Sequence, residues 1–274
     1  MQELLGHPAV QSALAPLLVG LGAAAVLVRL RLGGIAVVAG FATAVGLIAG
    51  FSFSPLTVIR KIMLVAMLAT VAGIGIDFGT KPNPVRSLLL ALAAGVVALW
   101  VFWPVLAQKD AASAWLGGVV AVGLVVWLVG YTDRALADRP VQAAVAALFM
   151  GLGAGALGLM GASASYAQYG IAIGAGAGGL LLLMMLLNRS LATGATLGLP
   201  AAMLSGLLVA AAMNLAQLQW YAALLFGLTP LAARLPVATR SPIWIRAIAQ
   251  SLVAVVPAVL ATLAAHYGSR GPAT

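Results

Sequence analysis

Asn214-Leu215-Ala216-Gln217-Leu218-Gln219 is the main polar interruption in a long apolar run over 192–233. Whether that run is one membrane pass or two decides the fold. It is too long for one helix spanning a hydrocarbon core about 30 Å thick, which takes about 20 residues. Divided at these six residues, it fits two antiparallel helices joined by a tight turn.

The rest of the chain belongs to the same class. Of 274 residues, 64% are hydrophobic and 7% are charged. A soluble domain carries about 25% charged residues. This chain has too little polar surface to cover a globule in water. The expected fold is an all-α, polytopic integral membrane helix bundle of about ten transmembrane helices, over 1–274 as one domain. The spans are expected at 9–28, 33–51, 62–79, 86–107, 113–131, 141–161, 167–187, 192–213, 216–233 and 244–266. Thirty-two glycines suit close helix approach in lipid.

Charge placement agrees with the division at 214–219. Met1 to Pro8 carries Glu3 and no Lys or Arg, so a cleavable signal peptide is not expected. Positive charge follows the first span, at Arg29 and Arg31, which predicts both termini outside. Inside loops then hold Arg29, Arg31, Lys81, Arg86, Arg134, Arg139, Arg189, Arg234, Arg240 and Arg246; outside lie Arg60, Lys61, Lys109 and Arg270. With a single span over 192–233, Arg234, Arg240 and Arg246 change sides, and most of the asymmetry is lost. The net charge of +9 is therefore read as an orientation signal, with attraction to anionic lipids on the inner face and no nucleic-acid partner. Short loops and Ala/Gly/Leu composition point to a bacterial inner (cytoplasmic) membrane.

A second pattern suggests a duplication. Gly50-Phe51-Ser52-Phe53-Ser54 and Gly161-Ala162-Ser163-Ala164-Ser165 share G-x-S-x-S at a separation of 111 residues. The same shift sets Asp77 on Asn188, Gly40 on Gly151 and Gln108 on Gln219. It predicts a parallel internal repeat of four spans plus four, over 9–110 and 113–219, with two added helices over 216–266. In structural terms the motif is a helix-end device, in which glycine ends a helix and serines cap the next one. In functional terms Ser52, Ser54, Ser163 and Ser165 would line a polar cavity between the halves.

The few polar groups at membrane depth are the other candidates. Asp77, in GIGIDFG, is a possible proton- or cation-linked site, or an interfacial partner of Lys81; Asn188 is its neutral counterpart. Arg60 and Lys61 begin a span at the opposite face, where they would contact an anion or snorkel to lipid phosphate.

Other chemistries lack their residues. Cysteine is absent, and the two histidines are His7 and His266, too few for haem or zinc sites. G-x-S-x-S has neither the fifth-position glycine nor the histidine of a nucleophile elbow. There is no P-loop, and Gly151-Leu152-Gly153-Ala154-Gly155 falls inside a span, where it reads as packing. Met63/Met67 and Met184/Met185 read as core filling. No cofactor and no enzymatic activity is expected. Two functions remain: a small-solute transporter or channel-like permease, or a non-catalytic membrane subunit or assembly factor of a larger complex. The second would pair with another membrane protein or with copies of itself.

Overall fold

The computed structural model describes residues 7–236 and 241–268. Glu3, Arg240 and Arg270, which entered the charge argument, lie outside the described residues. Among the described residues the chain is helical, without strands. The elements are α1 (Ala15–Leu27), α2 (Ala36–Ile48), α3 (Val58–Gly79), α4 (Pro84–Leu106), α5 (Ala111–Leu136), α6 (Pro140–Met160), α7 (Ala164–Leu186), α8 (Gly194–Leu215), α9 (Trp220–Phe226), α10 (Thr229–Arg234) and α11 (Ile243–Gly268). A π-helical turn, Val10–Leu14, leads into α1; 3-10 turns at Val28–Leu30 and Gly33–Ile35 join α1 to α2.

Among the described residues eight helices are long and apolar enough to cross a membrane, and Gly33–Ile48 is a shorter apolar helix. At 1.5 Å per residue that shorter helix reaches about 24 Å. The ninth expected pass, 216–233, is broken. The turn at 216–219 falls where the polar sequence predicts it, but the following segment is two short helices rather than one. Pro230, the second residue of α10, removes a backbone donor at the break. Backbone carbonyls freed inside lipid need internal partners. Trp127 Nε1 donates to Gly227 O at 2.8 Å, and Thr229 Oγ1 to Phe226 O at 2.7 Å. Below the break, Gln250 Nε2 donates to Leu235 O at 2.8 Å and also to Ala233 O.

The connections gather at two faces, as alternating passes require. Arg31, Pro82, Ala137 and Ala192, from four different connections, line one pocket. Asn188 Oδ1 accepts from Ile243 N at 3.0 Å, and Gln142 Nε2 donates to Arg234 O at 3.3 Å, which places the end of α10 and the start of α11 on that same face. We call it the basic face, since Arg29, Arg31, Lys81, Arg86, Arg134, Arg139, Arg189, Arg234 and Arg246 lie on it or beside it. At the opposite face Gln217 N donates to Gly161 O at 3.3 Å. There Asp110 caps α5 by accepting from Ser113 N at 2.9 Å, a bond that holds its carboxyl below the ordinary range.

Helix α8 is almost wholly buried and forms the centre. It packs on α3, α5 and α6. The α6–α7 pair is the closest in the bundle. Its glycines interlock, with a Cβ at Gly151 colliding with the Gly174 backbone and one at Gly170 with Gly155. The string Gly151–Gly155 is thus a packing surface, as its place inside a span suggested.

The packing partners do not follow the 111-residue shift. The repeat would set α2 against α3 as α6 lies against α7, and α1 against α2 as α5 lies against α6. Instead α2 rests on α1 and α7 and barely meets α3, and α5 pairs with α4 and α8. Small residues recur along these apolar helices because close packing selects them, which gives sequence self-similarity without equivalent neighbours.

Candidate functional site

Two polar pockets open at opposite ends of α8. The one on the basic face has a volume of about 350 Å³ and includes Arg31, Asp77, Arg86, Asp138, Thr193 and Gly194 in its lining. The other, about 390 Å³, is lined by Gly161, Ala162, Ser163, Tyr166 and 215–217.

Asp77 organises the first pocket. Helix α3 ends at Gly79, as the interfacial reading required, yet Asp77 does not pair with Lys81. Its carboxylate reaches across to the N-terminus of α8, whose first backbone N–H groups have no partner within the helix. Oδ1 accepts from Ala195 N at 2.6 Å, Oδ2 from Thr196 N at 2.8 Å, and Oδ2 also from Thr196 Oγ1. A carboxylate at this helix end meets both free donors and the positive end of the helix dipole. Gly194, at φ +48°, is needed here, since a Cβ would collide with the Asp77 carboxylate.

This cap from a distant helix displaces the local one. Thr193 stands at the N-cap position of α8, where a threonine hydroxyl would ordinarily accept from the first turn. With Asp77 on those donors, Thr193 makes no cap bond. Its Oγ1 is buried without a partner, as are Thr132 Oγ1 and Ser205 Oγ elsewhere in the bundle, among the described residues.

Beside the pocket lies a buried ion pair that sequence reasoning missed. Arg86 Nη2 meets Asp133 Oδ1 at 2.5 Å, with Nε to Oδ2 at 3.3 Å. Ser87 Oγ donates to Asp133 Oδ2 at 2.6 Å, and Arg86 Nη1 to Thr80 O at 3.1 Å. Asp133 was overlooked because the span was expected to end at 131. In fact α5 runs to Leu136 and carries Asp133 inside the bundle. The dipeptide Asp133-Arg134 reads as ordinary loop charge, and nothing local signals that its acid turns inward.

The other expected site residues do not assemble into one cavity. Ser52 and Ser54 are exposed in the 49–57 connection, and Ser52 Oγ approaches only Ser54 O, at 3.5 Å. Ser163 accepts from Tyr166 N at 3.4 Å and caps α7, the structural role expected of it, while lining the second pocket. Ser165 is exposed. Asn188, in the left-handed region at φ +45°, caps α11 through Ile243 N. Gly50 ends α2 with φ +68°, but in the second motif the left-handed residue is Ala162, not Gly161. The serine-lined cavity between halves is thus corrected: Ser52 and Ser54 lie in the 49–57 connection, Ser163 caps α7, and Ser165 is exposed in the first turn of α7.

The lipid-contact reading of Lys61 is also corrected. Its side chain is buried, and Nζ donates to Trp100 O at 2.9 Å while lying 4.9 Å from the Trp100 ring centroid. Pro104 explains the contact. It sits inside α4 and lacks the N–H that would bond Trp100 O, four residues back. Lys61 supplies that missing donor. Arg60 turns to its own connection, with Nη1 on Pro55 O at 2.6 Å.

At the far end of α8, Lys109 Nζ donates to Asn214 Oδ1 at 3.1 Å, and Asn214 Nδ2 to Ala210 O at 3.1 Å. Compared with protein-family models, curated proteins and solved structures, the chain matches none.

Proposed function

We propose that this multi-pass membrane protein is a small-solute permease, not an enzyme, and that α8 is its moving centre. The observation carrying this is the pair of polar pockets at the two ends of one buried helix, with orphan hydroxyls at Thr193, Thr132 and Ser205 in and around it. Each buried hydroxyl left unpaired costs about 1–3 kcal/mol, a cost that a rearrangement of α8 giving it a partner would recover. Asp77 is the latch of the basic-face pocket, since it ties α3 to the first turn of α8. Opening that pocket further requires the latch to release.

The test is reconstitution in liposomes with flux measured for a panel of small polar solutes. Flux by the wild-type chain, abolished by Asp77→Asn at unchanged protein level, supports the reading. A chain that inserts and folds yet moves none of them overturns it.

A membrane-subunit role is the second reading, favoured by one observation. An apolar groove of about 790 Å³ lies between α4 and α5, lined by Leu99, Trp103, Trp115 and Val119 among others. Stoichiometric co-purification of another membrane protein in mild detergent would support that reading.

A further inference from the structure

We infer that the basic-face pocket takes a small zwitterion, a solute carrying one ammonium and one carboxylate group. The inference deepens the permease reading and uses the same pocket. Four charged side chains line it: Arg31, Asp77, Arg86 and Asp138. Two of them are already engaged. The Arg86 guanidinium is held by Asp133 and by Thr80 O. Both carboxylate oxygens of Asp77 are on α8.

Arg31 and Asp138 remain. Neither makes a side-chain hydrogen bond or ion pair, with each other or with any other described residue, although they line one pocket. They come from different connections, the one after α1 and the one after α5, so both side chains are free to turn to a ligand between them. A single-sign ligand would satisfy one and leave the other facing like charge. A zwitterion satisfies both: its carboxylate on the Arg31 guanidinium, in the forked geometry that arginine offers, and its ammonium on Asp138.

Thr193 also lines the pocket, with its hydroxyl buried and unpartnered among the described residues. Because that hydroxyl is covered, recognition rests on Arg31 and Asp138. The pocket volume of about 350 Å³ lies at the small end of ligand sites, roughly 300–1,000 Å³, and suits a solute of amino-acid size.

The experiment is ligand-induced thermal stabilisation of the purified full chain in detergent. The probes are the protein amino acids and γ-aminobutyrate, each beside its N-acetyl derivative, which lacks the ammonium, and its methyl ester, which lacks the carboxylate. The expected result is saturable stabilisation by at least one zwitterion and by neither of its derivatives. Arg31→Gln and Asp138→Asn should each weaken that binding about tenfold or more, because each removes a hydrogen bond to a charged group. Both side chains are exposed and unpartnered, so these variants fold as the wild type does. Absence of stabilisation across the panel overturns the inference; so does a derivative that binds as well as its parent. Counterflow of the same probes in liposomes separates the two readings. Binding without flux keeps the zwitterion site and removes the permease. Flux of some other solute, with no zwitterion bound, does the reverse.

Discussion

Lys61 shows how one residue can be misread from its type alone. A lysine at the start of an apolar helix usually sends its ammonium to the lipid headgroups. Here a proline on a neighbouring helix creates a vacant carbonyl, and the lysine turns inward to fill it. The pairing makes a specific expectation. Lys61→Met should cost about 1–3 kcal/mol, the usual penalty for leaving one buried partner unmet. Pro104→Ala restores an N–H to Trp100 O, so in that background the cost of Lys61→Met should largely vanish. Unfolding of the four proteins in mixed micelles measures the coupling. An equal cost in both backgrounds would show that Lys61 acts through its charge or its stem, not through the carbonyl. Asp77 and Asp133 carry the same lesson. Asp77 was legible as a polar group at membrane depth and Asp133 was not, but for both the partners stand on other helices: 118 and 119 residues along the chain for Asp77, 47 and 46 for Asp133. One sequence holds no record of such distances.

At the scale of the element, what was legible is what depends on local composition. Helices α4, α6, α7 and α8 fall within a few residues of their expected spans, because hydropathy and chain length alone decide whether a segment is solvated by lipid. Helix ends were less legible. The span expected at 62–79 begins at Val58, and the one at 113–131 runs through Leu136, since polar residues with partners inside the bundle can continue a helix. The pass at 216–233 was legible but its break into α9 and α10 was not, because the break is held by Trp127 and Gln250 from other helices. The glycine content was readable as close packing, though not as a choice of partner. That choice can be tested on α6. Gly155→Leu pushes a side chain into the backbone of Ala167 and Ile171, and should destabilise by more than the 1–3 kcal/mol typical of overpacking. Gly123→Leu, on α5 where a Cβ meets nothing within 4 Å, should be close to neutral. Unfolding in mixed micelles compares the two, and equal losses would mean that the α6–α7 contact is not the tight one.

The whole molecule depends on the number of times the chain crosses. The broken helices α9 and α10 together reach only about 22 Å at 1.5 Å per residue, short of a full hydrocarbon core. Yet Gln217, before them, is bonded to Gly161 on one face, and Arg234, after them, lies beside Gln142 on the basic face. The segment therefore runs from one face to the other even though its helices are short, and α11 then returns the chain to the opposite face. The absence of cysteine makes this directly measurable, since each single-cysteine variant is the sole thiol. Cysteine at Ser54 and at Ser165 should react with an impermeant reagent from one side of sealed vesicles, and cysteine at Ser190 from the other. Ser241 is the informative position. It stands two residues before Ile243, whose N–H is held by Asn188 on the basic face. Ser241→Cys should therefore label with Ser190→Cys. Labelling with Ser54→Cys instead would mean that Asn214–Gln219 opens a re-entrant hairpin and not a crossing. The two polar pockets would remain, but α11 would run the other way, and the basic residues at its start would leave the basic face.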